Sequence, residues 1–178
     1  MLKDFFLNAI PIMGAVVSLF DGNTGRTDDP DSTTGLTSRD KFLVTSSWAE
    51  VRKEPTENGV KLLMMLFEKN PKYLQLFPFK DIPLKDLPEN KRFQAHCNKV
   101  IHGFNAIIDS LDNTELLVTT LLKVGETHKP RGVTEEAFLD LKDVIIELFS
   151  TFMNKDQIEA WKKTLEVAFA TIIKGLTQ

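Results

Sequence analysis

His96 and His128 stand thirty-two residues apart, each on the apolar stripe of an amphipathic helix, and that pairing limits what this chain can build. The first stripe runs Phe93, His96, Val100, Phe104, Ile107, Ile108 and Leu111, with the three-and-four spacing that one helix face requires. The second runs Leu117, Leu121, Val124 and His128, and Pro130 ends the helix just after the histidine. Both imidazoles therefore point where apolar side chains point. Either histidine alone is more often a core residue with a satisfied hydrogen bond than a ligand. Two on facing helices, with bulky aromatics shortly before the first, suit a flat, apolar, metal-bearing ligand held between two imidazoles.

The rest of the chain is that of an ordinary globular domain. With 178 residues, 42% of them hydrophobic, one domain with a sizeable core is the natural reading. Lys+Arg 22 against Asp+Glu 25, with no concentrated basic stripe, leaves no electrostatic footprint for nucleic acid. The single cysteine, Cys97, can form neither an internal disulfide nor a thiolate metal site, and a reducing compartment is the simpler assumption. It reads as a packed small residue beside His96, with an intermolecular disulfide or a redox thiol as the alternative.

The chain divides near residue 36. Asp21 to Gly35, DGNTGRTDDPDSTTG, is nearly all small and polar and reads as a flexible linker, so residues 1–35 form an extension and 36–178 the folded domain. A first helix spans Leu36 to Val51, with Thr37 or Ser38 as its cap. A second starts at Pro55 and Thr56 and ends at Asn70-Pro71. A short helical turn follows through Tyr73 and Leu76. Three prolines, Pro78, Pro83 and Pro88, then keep FPFKDIPLKDLPEN from being regular helix and make it a connector that brings Phe77 and Phe79 near the His96 helix. Two more helices, about Thr134 to Met153 and Asp156 to Lys174, carry cap signals at Thr134 and at Asn154 with Gln157. No strand-like alternation of useful length appears, so the fold is all-α with seven or eight helices.

From Leu36 to its end, about four fifths of its length, the chain resembles the globins, and FPFKDIPLKDLPENKRFQAHCNKV most resembles intracellular globins of insects and other arthropods. Trp48 late in the first helix, Pro71 opening the third, Phe77 six residues on, His96, His128 and Trp161 stand in the family's order. The resemblance implies a globin fold around haem b. It implies His128 as the proximal iron ligand and His96 on the distal side, where it either donates a hydrogen bond to bound oxygen or ligates the iron itself. Val124, Val133, Phe138 and Leu141 would line the pocket with Phe77, and Leu63, Phe77, His96, Lys99 and Val100 would form its distal part. The ring nitrogen of His128 that does not face the iron needs a local acceptor, for which the Val124 carbonyl or a neighbour is available. Lys99 would lie toward the pocket mouth, near a haem propionate or simply solvated. His102 falls on another helix face and has no role.

The resemblance further implies reversible binding of oxygen and other diatomic gases, for storage or delivery within tissue. The alternative is a bis-histidine redox protein consuming nitric oxide, nitrite or reactive oxygen; lacking any flavin or nicotinamide motif, the chain would need an external reductase. A haem-free sensor is disfavoured, because both histidines and Phe77 are kept. A homodimer is a further partner to test. The connector before His96 is slightly shorter than in vertebrate muscle-type globins, which favours direct ligation by His96, and the sequence leaves five- and six-coordination open.

Residues 1–35 admit three readings. MLKDFFLNAIPIMGAVVSLF is too interrupted, by Asn8 and Pro11, for a membrane-spanning helix. It has the Lys3 and apolar run of a secretion signal without a clean small-x-small site, or it is an amphipathic or disordered extension. Met13 to Ser18, MGAVVS, also fits an acylation pattern that would place a myristoyl chain on Gly14 if translation began at Met13 or processing exposed that glycine. Membrane attachment through one such chain would be reversible.

Overall fold

The helices begin where capping side chains stand. In the computed structural model, which describes residues 28–178, Thr37 caps α1 (Ser38–Val51) in a reciprocal box with Asp40, and Pro55 opens α2 (Pro55–Lys69). Asn90 accepts the Arg92 and Phe93 amides at the start of α3 (Lys91–Asp109), and Asn113 does so for Leu116 in α4 (Thr114–His128). Thr134 caps α5 (Glu135–Phe149), and Asn154 with Gln157 boxes the start of α6 (Lys155–Thr177). The resulting boundaries lie close to those read from the sequence, except that α5 stops four residues short of Met153.

Two six-residue 3-10 helices, Pro71–Leu76 and Leu84–Glu89, lie between α2 and α3, and a three-residue 3-10 turn, Lys129–Arg131, continues α4. No strand occurs among the described residues. The proline-rich connector is thus more regular than expected. It holds no α-helix, but the tighter 3-10 winding accommodates Pro88 within one short piece.

The four-helix pairing positions everything else. α2 packs along α3, α4 packs along α6, and α1 and α5 lean on α6, whereas α3 and α4 scarcely touch. The core joins these pairs through Trp48, Phe149 and Trp161, with ring centroids 5.7 Å apart for the two tryptophans and 4.8 Å for Phe149 and Trp161. Both buried indoles are satisfied: Trp48 Nε1 donates to Asn105 Oδ1 at 2.6 Å and Trp161 Nε1 to Ser47 Oγ at 2.9 Å.

One expectation is corrected. The segment read as linker up to Gly35 is folded from Asp31 onward, because the Asp31 carboxylate gathers the amides of Thr33 and Thr34, the Thr34 hydroxyl and, from α4, the Thr114 hydroxyl at 2.9 Å. Thr34 and Leu36 are buried by this turn, which Gly35 closes at φ +69°. Those hydrogen bonds hold the Asp31 carboxyl down at about 2, the Thr34 amide contributing most.

Candidate functional site

α4 ends in its histidine. His128 is the last residue of the helix, half-buried, and its Nδ1 donates to the Val124 carbonyl oxygen at 2.7 Å, one turn back. That bond fixes the ring's tautomer and orientation and leaves Nε2 with its lone pair directed away from the helix. Phe138 of α5 meets the ring edge-on, with centroids 5.4 Å apart.

His96 stands on α3, also half-buried, against the two aromatics of the connector. Phe77 meets it edge-on at 5.0 Å and Phe79 at 6.1 Å, and these two rings stack on one another at 5.1 Å. Phe67 of α2 backs Phe77 at 5.2 Å. Burial lowers the His96 pKa first, and the charges of His128, Lys99 and Arg131 lower it further. His128 of α4 is thus among the charged groups whose field reaches His96.

The remaining pocket candidates differ in burial. Leu63 and Phe138 are buried, at 3% and 6% exposure, while Phe77, Val100, Val124, Val133 and Leu141 are only half-buried. Five apolar side chains packed on the core are thus left half-covered, surface that a flat apolar ligand could finish covering. Lys99 is exposed, and His102 is exposed and within 3.3 Å of the Asn105 amide. Gly14 lies outside the described residues.

The donor set fits haem better than a bare ion. Among the described residues no group of three His, Cys, Asp or Glu side chains could hold a metal by itself. A porphyrin would bring four nitrogens of its own, so the protein would need to supply only imidazole donors, and His128 and His96 are the residues that would hold it. Cys97, adjacent to His96, does not enter the site. It faces the α2 side, is 0% exposed, and burial pushes its thiol up to about 12.

Three positioning features escaped the sequence reading. A Cβ on Gly125 would strike the Ile172 carbonyl oxygen and come within 2.7 Å of the Gly175 carbonyl carbon; one on Gly175 would strike the Leu122 carbonyl oxygen. Here the α4 and α6 backbones are in contact three residues before His128. At Gly59 a Cβ would strike the Cys97 carbonyl oxygen and lie 2.9 Å from its Cβ, so α2 and α3 touch beside His96. Third, Tyr73 of the first 3-10 helix donates its hydroxyl to Asp140 of α5 at 2.6 Å. A glycine inside a helix costs about 1 kcal/mol relative to alanine, and that cost was the available signal for the first two.

Comparison with known proteins points the same way. The globin family model matches residues 60–172. A globin of Nerita albicilla is 31% identical over 157 residues, covering 82% of this chain and 95% of that protein. Cytoglobin-1 of Oryzias latipes is 26% identical over 155 residues, covering 83% and 88%. Among solved structures, the hexa-coordinate hemoglobin of Drosophila melanogaster superposes with a TM-score of 0.75 at 30% identity, covering 78% of this chain and 94% of that one.

Proposed function

The chain belongs to the globin family, and from that premise we propose that it is a gas-binding protein of tissue that stores or delivers oxygen, with His128 as its proximal and His96 as its distal residue. Its cofactor is haem, whose ferrous iron supplies the binding site for a diatomic gas. The observation that carries the proposal is the pair of half-buried imidazoles, one fixed by the Val124 carbonyl and the other packed edge-on against Phe77. The Nδ1–Val124 bond makes Nδ1 the N–H donor, so the neutral ring presents its lone pair at Nε2 for ligation. His96 keeps a neutral ring that donates through N–H or ligates through its lone pair, and Phe77 and Phe79 limit how far it swings. Leu63, being apolar, adds no second hydrogen bond, which argues for modest rather than extreme oxygen retention.

A second reading has one specific support: the hexa-coordinate hemoglobin of Drosophila melanogaster is among the structures most similar to this fold. On that reading His96 closes the sixth position in the gas-free ferrous protein, and turnover of nitric oxide, nitrite or reactive oxygen proceeds with an external reductase. Location inside the cell, with reversible membrane attachment if Gly14 is acylated, belongs to the proposal too. No helix among the described residues is long and apolar enough to cross a membrane.

The two readings separate on rates. Storage requires an oxygenated form that persists far longer than a gas-exchange cycle and a measurable oxygen equilibrium. Rapid autoxidation, together with reductant-sustained consumption of nitric oxide, would overturn storage in favour of redox turnover.

A further inference from the structure

A close backbone contact lies behind His128, one turn back along α4. Gly125 and Gly175 let α4 and α6 meet with no side chain between them, and any Cβ at either position collides with main-chain atoms of the other helix rather than with a flexible side-chain tip. The alternative, helices separated by ordinary side chains, would place the α4 axis farther from α6. Gly125 also belongs to the turn that holds His128: its carbonyl accepts the Lys129 amide, and the preceding carbonyl, of Val124, accepts His128 Nδ1–H. The α6 backbone, the Gly125 turn and the proximal imidazole thus form one continuous rigid connection.

We propose that Gly125 and Gly175 are positioning residues for His128: their contact sets how deep the α4 backbone seats and so fixes where the imidazole presents Nε2. The contact acts through two links. A methyl group at either glycine lifts the end of α4 off the α6 backbone at Ile172 and Gly175, and the lift is carried into the Val124 carbonyl and the ring it orients. Gly59 gives an internal comparison, since it makes an equally close crossing, but with α3 on the opposite side of the cleft. This inference rests on the reading that His128 is the proximal ligand.

The test uses the full-length haem-loaded protein and its Gly125→Ala, Gly175→Ala and Gly59→Ala variants. The readouts are the rate of haem loss to a scavenger, the iron–histidine stretching band of the photolysed carbon monoxide complex, and the urea unfolding midpoint. Gly125→Ala is expected to lose haem on the order of tenfold to a hundredfold faster, as changes that disturb a ligand's supporting contacts do, and to shift the stretching band. Gly175→Ala reads the same contact from the last turn of α6, which ends at Thr177 and can yield without unfolding the domain. Gly59→Ala is expected to lower the urea midpoint while the band stays in place. Folded Gly125→Ala or Gly175→Ala protein with an unmoved band and unchanged haem loss overturns the proposal. So does failure of both to fold while Gly59→Ala folds, because the contact would then serve the fold alone. Failure of the underlying reading looks different: the parent protein would show no iron–histidine band that disappears in His128→Gly and returns with added imidazole.

Discussion

Replacing Tyr73 with phenylalanine removes one oxygen and leaves the ring in place. Tyr73 is 6% exposed, and its hydroxyl donates to the half-buried Asp140 carboxylate at 2.6 Å, joining the first 3-10 helix to α5 between Phe138 and Leu141. Hydrogen bonds to a charged group contribute about 1.5–3 kcal/mol. Because water reaches the half-buried Asp140 once the hydroxyl is gone, the lower end applies, about 1.5 kcal/mol, or about 3–6 °C in midpoint for a domain of this size. The Lys72–Glu136 ion pair at 2.8 Å and the Lys72 ammonium 5.0 Å from the ring centroid need only the ring, so they survive. Urea unfolding of the wild type, Tyr73→Phe, Asp140→Ala and the double variant isolates the pair, and Tyr73→Phe is expected to cost little once Asp140 is absent. Burial first, and Asp140 next, push the Tyr73 hydroxyl up to about 12 from 10.0. A raised acid keeps its proton longer when folded, so above pH 10 the unfolded chain binds fewer protons and stability falls toward pH 12. Tyr73 is the sole tyrosine, so tyrosinate absorbance titrates this one group. A folded-state midpoint near that of free tyrosine, or a loss below about 0.5 kcal/mol in Tyr73→Phe, within the range of surface substitutions that touch nothing, would refute the argument.

The remaining expectations are shorter. His96→Leu is expected to speed gas association and shorten the lifetime of bound oxygen; flash photolysis reads both, and unchanged rates would remove His96 from the pocket. If His96 holds the sixth position, the same substitution converts a gas-free ferrous spectrum with two sharp visible bands into one with a single broad band. The lowered Asp31 pKa implies stability present above about 4 and lost as pH falls through about 2, and Asp31→Asn is expected to flatten that acid limb in unfolding measured against pH. Cys97, at 0% exposure with its thiol at about 12, is expected to resist thiol reagents until the domain unfolds; prompt reaction of the native protein would revive the disulfide alternative.

What could be read from residues alone was whatever acts locally. The apolar stripes placed His96 and His128, and the caps at Thr37, Thr134 and Asn154 placed helix starts, because each signal spans a few residues and the structure obeys the same local geometry. The Val124 carbonyl was foreseen for the same reason, lying one turn from the ring it orients. Contacts between distant segments were opaque. Gly125 and Gly175 are each unremarkable until α4 lies on α6, and Asp140 has no cause to be paired with Tyr73 until α5 meets the 3-10 helix. Asp31 sits in a stretch whose composition reads as linker, and only the arrival of Thr114 from α4 turns it into an anchor.

The near absence of contact between α3 and α4 has a thermodynamic consequence. The α2–α3 pair and the α4–α6 pair share little direct contact between α3 and α4, so a haem held by His96 of α3 and His128 of α4 would tie the two pairs together. Occupancy is then a term in the folding equilibrium: at a free cofactor concentration one hundred times its dissociation constant, it deepens the native basin by about 2.7 kcal/mol. Cells short of haem would hold this protein nearer its unfolding threshold, and its abundance would follow haem supply as well as synthesis.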